Sequence, residues 1–422
     1  MGAGRAHGTP PNRRHPTPVC ATLIRSPSGD AQPVPYTLPL LSAHPVTHIA
    51  NPRAADPARP IGPRERAVLT VEGMTTARDA IRAWEGYAPT PLRRLDGLAA
   101  AAGLAALYLK DESTRLGLGS FKALGGAYAV ERLVGRRGAE GLTVCCATDG
   151  NHGRSVAWGA HRQNCGCVIY VHGTVSPGRC EAIARWGADV RRVLGTYDDS
   201  VRAAAEDAVA HGWVVVSDTS YPGYMNIPRD VMQGYTVMAD EIVTQIDRPP
   251  THIFVQGGVG GLAAAVTAQT WEAWGTDRPR IVVVEPDRAA CLLASARTGR
   301  PVMALGALDT VMSGLACGAP SLLAWEVLDE GAHNFLAVPD APAVEVMRLL
   351  ASGRYDAPVV AGDSATAGLA GCLLALANPT LRGALGLDRD SRVLALSTEG
   401  ATDPDVYAEL VGRPAASVVA AS

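Results

Sequence analysis

Lysine is almost absent from this chain. Two of its 38 basic residues are lysine, Lys110 and Lys122, and the rest are arginine. Arginine serves surface charge as well as lysine does, but its guanidinium stays protonated and never supplies the neutral amine that attacks a carbonyl. The two lysines are therefore candidates for amine chemistry, with chance survival the alternative for either one taken alone. Also missing is any apolar run approaching the ~18 residues a membrane span needs, which excludes a membrane partner. There is no basic excess either: 41 acidic residues face 38 basic ones, for a net charge of −3. That balance argues against nucleic acid as the main partner. Nine cysteines in 422 residues are no disulfide framework, and Cys145-Cys146 and Cys165-x-Cys167 lack zinc-finger spacing. They read as buried thiols of a reducing, cytoplasmic compartment, and no metal site is expected. What is present is an ordinary globular mix, 47% hydrophobic and 19% charged, in a length that suits two domains.

Thirteen of the thirty prolines lie in residues 1–63, among scattered arginine, histidine and serine. Such a stretch buries too little apolar surface to offset its ordering entropy, so residues 1–62 read as a proline- and arginine-rich disordered tail. His44 and His48 have helical spacing there but are not expected to be ligands. Beyond the tail, short apolar strands alternate with amphipathic helices. Strands are expected near 107–110, 142–147, 167–172, 188–193 and 213–218, then at 252–255, 281–285 and 392–397. Helices fall at 120–134, 154–164, 177–186 and 198–210, then at 262–274 and 364–377. The alternation indicates open parallel α/β sheets, and a break around residues 219–250 separates two such series.

Ligands of open parallel sheets bind beyond the carboxyl ends of the strands. Those ends are polar or glycine-rich here: Thr148-Asp149-Gly150-Asn151-His152-Gly153, Asp218, Gln256-Gly257-Gly258-Val259-Gly260-Gly261, Glu285, and Ser397-Thr398-Glu399-Gly400. The glycine loop Gly257–Gly261 lies between an apolar strand and an alanine-rich helix, an arrangement that cradles an anion on backbone N–H groups. Gly258, Gly260 and Ala263 also satisfy the dinucleotide pattern G-x-G-x-x-A, with Glu285 at a suitable distance, so a nicotinamide-dependent dehydrogenase competes. Ser120-Phe121-Lys122 opens a helix amid Gly117, Gly119, Gly125 and Gly126. A dehydrogenase has no use for a lysine there, whereas an enzyme holding an aldehyde cofactor as a Schiff base requires one.

In this order, Ser-Phe-Lys, Gly-Asn-His-Gly, the glycine loop and the terminal serine resemble the fold type II pyridoxal 5′-phosphate (PLP) enzymes of the tryptophan synthase β-subunit group. Longer stretches are similar to the diaminopropionate ammonia-lyases. They include Tyr87-Ala88-Pro89-Thr90-Pro91-Leu92, Lys110-Asp111-Glu112-Ser113, Arg115-Leu116-Gly117-Leu118 and Phe121 to Gly126. Thr148 to Arg154, Met232-Gln233-Gly234-Tyr235, Gly314 to Gly318 and Ser397 to Gly400 extend the likeness, which spans about residues 70–411.

The resemblance implies two open parallel-sheet domains with PLP in the cleft, a small one at 119–228 and a large one from 63–118 and 229–422. It implies α,β-elimination of D- and L-2,3-diaminopropionate to pyruvate and ammonia, in a cytoplasmic homodimer. By position, Lys122, flanked by Phe121, would carry the cofactor and Asn151 would contact its ring oxygen. Gly257, Gly258, Val259, Gly260 and Gly261 would hold the phosphate, and Ser397 or Thr398 would meet the pyridine nitrogen. Asp149 and Asp218 would handle the substrate; loop capping and helix capping are their alternatives. Ala401 stands where the family has an acidic residue, and Tyr221-Pro222-Gly223-Tyr224 replaces a tryptophan-containing turn. A serine or threonine dehydratase, a β-replacement synthase and a non-catalytic PLP carrier remain alternatives. Cys291 and Cys317 are expected as two thiols.

Overall fold

The computed structural model describes residues 1–2, 41 and 44–420. Its eleven strands are β1 (Thr47–Ala50), β2 (Leu92–Arg94), β3 (Ala106–Asp111), β4 (Thr143–Ala147), β5 (Gly166–His172), β6 (Asp189–Val193), β7 (Val214–Val215), β8 (His252–Gln256), β9 (Arg280–Pro286), β10 (Asn334–Val338) and β11 (Arg392–Ser397). They form a seven-stranded sheet in the order β1-β10-β9-β8-β11-β3-β2 and a four-stranded sheet in the order β6-β5-β4-β7. The four-stranded sheet is parallel throughout. The larger sheet is parallel in its interior and carries one antiparallel strand at each edge, β1 against β10 and β2 against β3. Every residue of β8 and β10 is buried. Helices cover both faces of such a sheet, so its central strands read as continuous apolar runs.

Strand β1 overturns part of the expected tail. Residues 3–40 and 42–43 lie outside the described residues, but residues 44–62 belong to the body. His48 Nε2 meets Asn334 Oδ1 at 2.9 Å, Asn51 Nδ2 donates to the carbonyls of Asp329 and Ala332 at 2.7 Å, and Ile61 is buried. Pro45 and Pro52 flank this four-residue edge strand, which holds no proline itself, and hide it in a proline-rich stretch.

The apparent break at 219–250 contains the longest helix among the described residues, Asn226–Gln245. Pro228 sits in its first turn, where the missing N–H costs no hydrogen bond. The helix crosses Lys122–Arg137 closely. A Cβ at Gly234 would lie 2.3 Å from the Leu124 carbonyl oxygen, and one at Gly125 would lie 2.3 Å from Tyr235 Cε1. These glycines bring Tyr235 against the start of the lysine-bearing helix.

Candidate active site

Four strand ends converge on one cavity of about 360 Å³. Backbone pairing draws distant motifs together there. Phe121 N–H donates to the Thr398 carbonyl at 3.0 Å, Gly400 N–H donates to Gly119 O at 3.0 Å, and Ser120 bridges Glu399. Ser-Phe-Lys and Ser-Thr-Glu-Gly are thus two sides of one short ladder. The Ser155 hydroxyl donates to the Lys122 carbonyl at 2.6 Å and accepts from Ala127 N–H at 3.0 Å, fixing the first turn of the lysine helix.

Lys122 Nζ lies 2.5 Å from Asp218 Oδ2, and 5.6 and 5.9 Å from the ring centroids of Phe121 and Tyr235. Burial alone would lower the amine's pKa, but the Asp218 carboxylate outweighs it and holds the ammonium above its ordinary range. Burial pushes the Asp218 carboxyl the other way, and Lys122 wins again, keeping it well below the usual carboxylate range. Asp218 is therefore no helix cap. It is placed by the segment after β7, where Tyr224 braces the chain: its hydroxyl accepts from Ser217 N–H at 3.0 Å and donates to Val215 O at 2.8 Å.

The loop after β4 is capped by Thr148, whose Oγ1 accepts from Gly150 N–H at 3.0 Å and from Gly153 N–H at 3.1 Å. The Asp149 carboxylate is left for other work. Its Oδ1 lies 2.6 Å from His172 Nε2, while its backbone oxygen accepts from Arg179 at 3.1 Å. The Asn151 amide donates to Glu399 Oε2 and accepts from Arg154 at 2.9 Å. Glu399 in turn presses on the buried Asp363, whose carboxyl burial and this neighbour together raise.

In the glycine loop, Gly258, Val259, Gly260 and Gly261 line the cavity at the start of helix Gly261–Trp274, and Gly260 has φ 95°. No acidic side chain lies in that first turn, and the helix's positive end suits an anion there. Gly257 lies off the cavity. Its N–H is taken by Val284 O at 2.8 Å, and a Cβ would meet Val283, Glu285 and Leu292 within 2.9 Å. Ser397 is likewise behind the wall, fully buried, with no hydrogen bond from its hydroxyl among the described residues; Thr398 and Glu399 reach the cavity instead. Alternation along β11 explains Ser397, whose side chain turns into the packed layer while Thr398 turns toward the cavity.

The cavity thus unites Phe121, Lys122, Asp149, Asn151, Asp218, the loop from Gly258 to Gly261, and Thr398. Sequence reasoning missed Arg179, Tyr235 and Cys317 as lining groups and His172 behind Asp149. Tyr235 stood in a quoted stretch without a role; His172 closes the strand expected at 167–172, a position that could have marked it. Cys291 and Cys317 are free thiols. Glu285 accepts from the N–H groups of Leu292 and Leu293 at 2.7 Å and is fully buried, outside the lining of the cavity, so it does not face a ribose there. The dinucleotide reading loses its acidic residue.

The family described as pyridoxal-phosphate dependent enzyme matches residues 83–399. Diaminopropionate ammonia-lyase of Escherichia coli (strain K12) is 39% identical over 350 residues, covering 77% of this chain and 88% of that protein. The corresponding protein of Salmonella typhimurium is 37% identical over 363 residues, covering 78% and 90%. Among solved structures, the Escherichia coli lyase in complex with an aminoacrylate-PLP azomethine reaction intermediate superposes with a TM-score of 0.81 at 35% identity, covering 87% of this chain and 97% of that one.

Proposed function

The chain belongs to the pyridoxal-phosphate dependent enzymes and, within them, to the diaminopropionate ammonia-lyases, and from that premise we propose a role for each residue of the Lys122 cavity. The protein is a carbon–nitrogen lyase of PLP fold type II, acting on an amino acid. Its reaction is α,β-elimination of 2,3-diaminopropionate to pyruvate and ammonia. The observation that carries the assignment of roles is the placement of one accessible lysine amine between a carboxylate, Asp218, and an anion-binding glycine turn.

The residues fit the cofactor. Lys122 offers the amine, the turn from Gly258 to Gly261 at a helix N-terminus suits the phosphate, and Thr398 and Asn151 offer neutral polar groups to the ring. When bound, the pyridoxal ring supplies a conjugated sink for the electron pair left at Cα. Lys122 attacks a carbonyl only as a neutral amine, so the proton that Asp218 at 2.5 Å holds on it must leave before it reacts. With the substrate in place, the freed Lys122 amine takes the α-proton of one enantiomer. Asp149 takes it from the other face, which lets both D and L substrates react. The β-amino group leaves as ammonia once protonated, and the Lys122–Asp218 pair holds a proton for it. The enamine released hydrolyses in water. Asp149 also suits a diamine's second ammonium, which a hydroxy amino acid lacks.

The cytoplasm and a homodimer complete this reading. The eight described cysteines are all free thiols, in keeping with a reducing compartment, and no described helix is long and apolar enough to cross a membrane. Light scattering tests the dimer. The decisive test of the chemistry is an absorbance spectrum with pyruvate assays on D- and L-2,3-diaminopropionate, serine and threonine. Asp149→Asn is expected to keep the cofactor and lose ~10²–10⁴-fold of its turnover of the D substrate. Parent-like turnover of both enantiomers by that variant would sink the role of Asp149, and preference for serine over the diamine would favour a dehydratase.

A further inference from the structure

The Asp149 carboxylate has one hydrogen-bond partner among the described residues, and it is His172. Sheet register explains the meeting. Strands β4 and β5 are parallel neighbours with Ala147 opposite Tyr170, so Asp149 and His172, each two residues further on, lie side by side beyond the strand ends. Thr148 N–H donates to Tyr170 O at 3.0 Å and continues the ladder toward them. On its other side, His172 Nδ1 lies 2.9 Å from Thr174 Oγ1. A carboxylate accepts, so the hydrogen of this bond is carried by Nε2, and the Thr174 hydroxyl, which both donates and accepts, partners Nδ1.

We propose that His172 is the positioning residue for Asp149: its Nε2–H holds Oδ1 and leaves Oδ2 free to take the α-proton of the D substrate. The proposal rests on Asp149 being the base for that enantiomer. Three observations exclude plain loop capping as the carboxylate's role. Thr148 already caps the Gly150 and Gly153 N–H groups, Arg179 binds the backbone oxygen of Asp149 rather than its side chain, and Oδ2 makes no hydrogen bond among the described residues. An aspartate with one oxygen tethered has lost the side-chain rotation that would take the other off line. Misplacing a reacting group by about 1 Å costs on the order of 10²-fold in rate.

The test uses His172→Leu, which removes the donor, and His172→Gln, whose terminal amide N–H falls near the place of Nε2. Both are assayed as holoenzyme on each enantiomer. The leucine variant is expected to lose roughly 10–100-fold of kcat on the D substrate, with KM and turnover of the L substrate within about twofold of the parent, and glutamine to restore most of the loss. A second readout needs no turnover. In cofactor-free protein labelled with ¹⁵N-histidine, Asp149→Asn is expected to shift the His172 ring signals, assigned by their absence in His172→Gln. Equal slowing of both enantiomers, no rescue by glutamine, or unmoved ring signals would overturn the proposal. A parent enzyme without diaminopropionate turnover, or an Asp149→Asn variant that keeps the D reaction, would instead remove the reading beneath it and the proposal with it.

Discussion

The two lysines of the chain stand in opposite settings. Lys110 is fully buried, and its amine meets Thr90 O at 2.8 Å, Glu241 Oε2 at 2.7 Å and Gln245 Oε1 at 2.8 Å. Three donors find three acceptors. Around it Arg115 pairs with both Glu112 and Glu241 at 2.7 Å, closing a dry network that joins β3 to the helix Asn226–Gln245. Lys122 has one carboxylate partner, two aromatic rings and an open cavity. Burial lowers the Lys110 amine despite Glu241, whereas Asp218 raises that of Lys122. By acidity alone Lys110 would look like the better nucleophile. Access decides otherwise, since an amine with every hydrogen committed and no cavity beside it reaches no substrate. A shifted pKa marks a functional site only where the group also faces space.

Exchanging the two amines for inert groups should break this comparison most visibly. Lys122→Ala is expected to fold, lose the absorbance of the cofactor adduct, and drop turnover by more than about a thousandfold. Borohydride reduction of the parent followed by peptide mapping should place the label on Lys122; a label on Lys110 would reverse the assignment. Lys110→Met should do the converse, sparing the chemistry and weakening the fold. Breaking a buried ion pair costs about 3–5 kcal/mol, and because Arg115 still serves Glu241 the lower end applies, about 3 kcal/mol, read from urea unfolding. Unchanged stability would show that the network contributes nothing net.

The two settings were unequally legible in the sequence. Scarcity of lysine singled out both residues, and the glycines and serine around Lys122 told the reactive one apart, because a turn and a helix start beyond strand ends leave local marks. The partners of Lys110 leave none: Glu241 and Gln245 lie in a stretch that read as a break, since Pro222, Gly223 and Pro228 suggest loop where Pro228 only starts a helix. The same limit applies inside the site. Asp149, Asn151 and Asp218 follow from strand-end position, as His172 also does, while the pairing of His172 with Asp149 comes from sheet register and the reach of Arg179 from the packing of helix Pro177–Ala184. Of the two alternatives Ser397 and Thr398, alternation at the end of β11 brings Thr398 to the cavity, and of the glycine loop Gly258 to Gly261 line it.

The smallest effect is electrostatic and has a pH signature that distinguishes the Lys122 pair from packing. In cofactor-free protein the folded pKa of Asp218 lies below its unfolded value and that of Lys122 above it. The carboxylate's contribution to stability is therefore complete above its unfolded pKa of about 3.9 and fades as pH falls toward the folded value. The amine's contribution is complete below its unfolded pKa of about 10.4 and fades as pH rises past it. Between those limits the pair stabilises the fold without pH dependence, and less than the Lys110 network does, because the cavity lets water take the place of either partner. Asp218→Asn should therefore lower the urea midpoint at pH 7, by less than Lys110→Met, and the gap from the parent should narrow below about pH 4, where the carboxylate of the unfolded parent takes up its proton. A gap of constant size across that range would mean that the loss came from shape around Asp218, and the Lys122–Asp218 pair would no longer be the electrostatic counterpart of Lys110–Glu241.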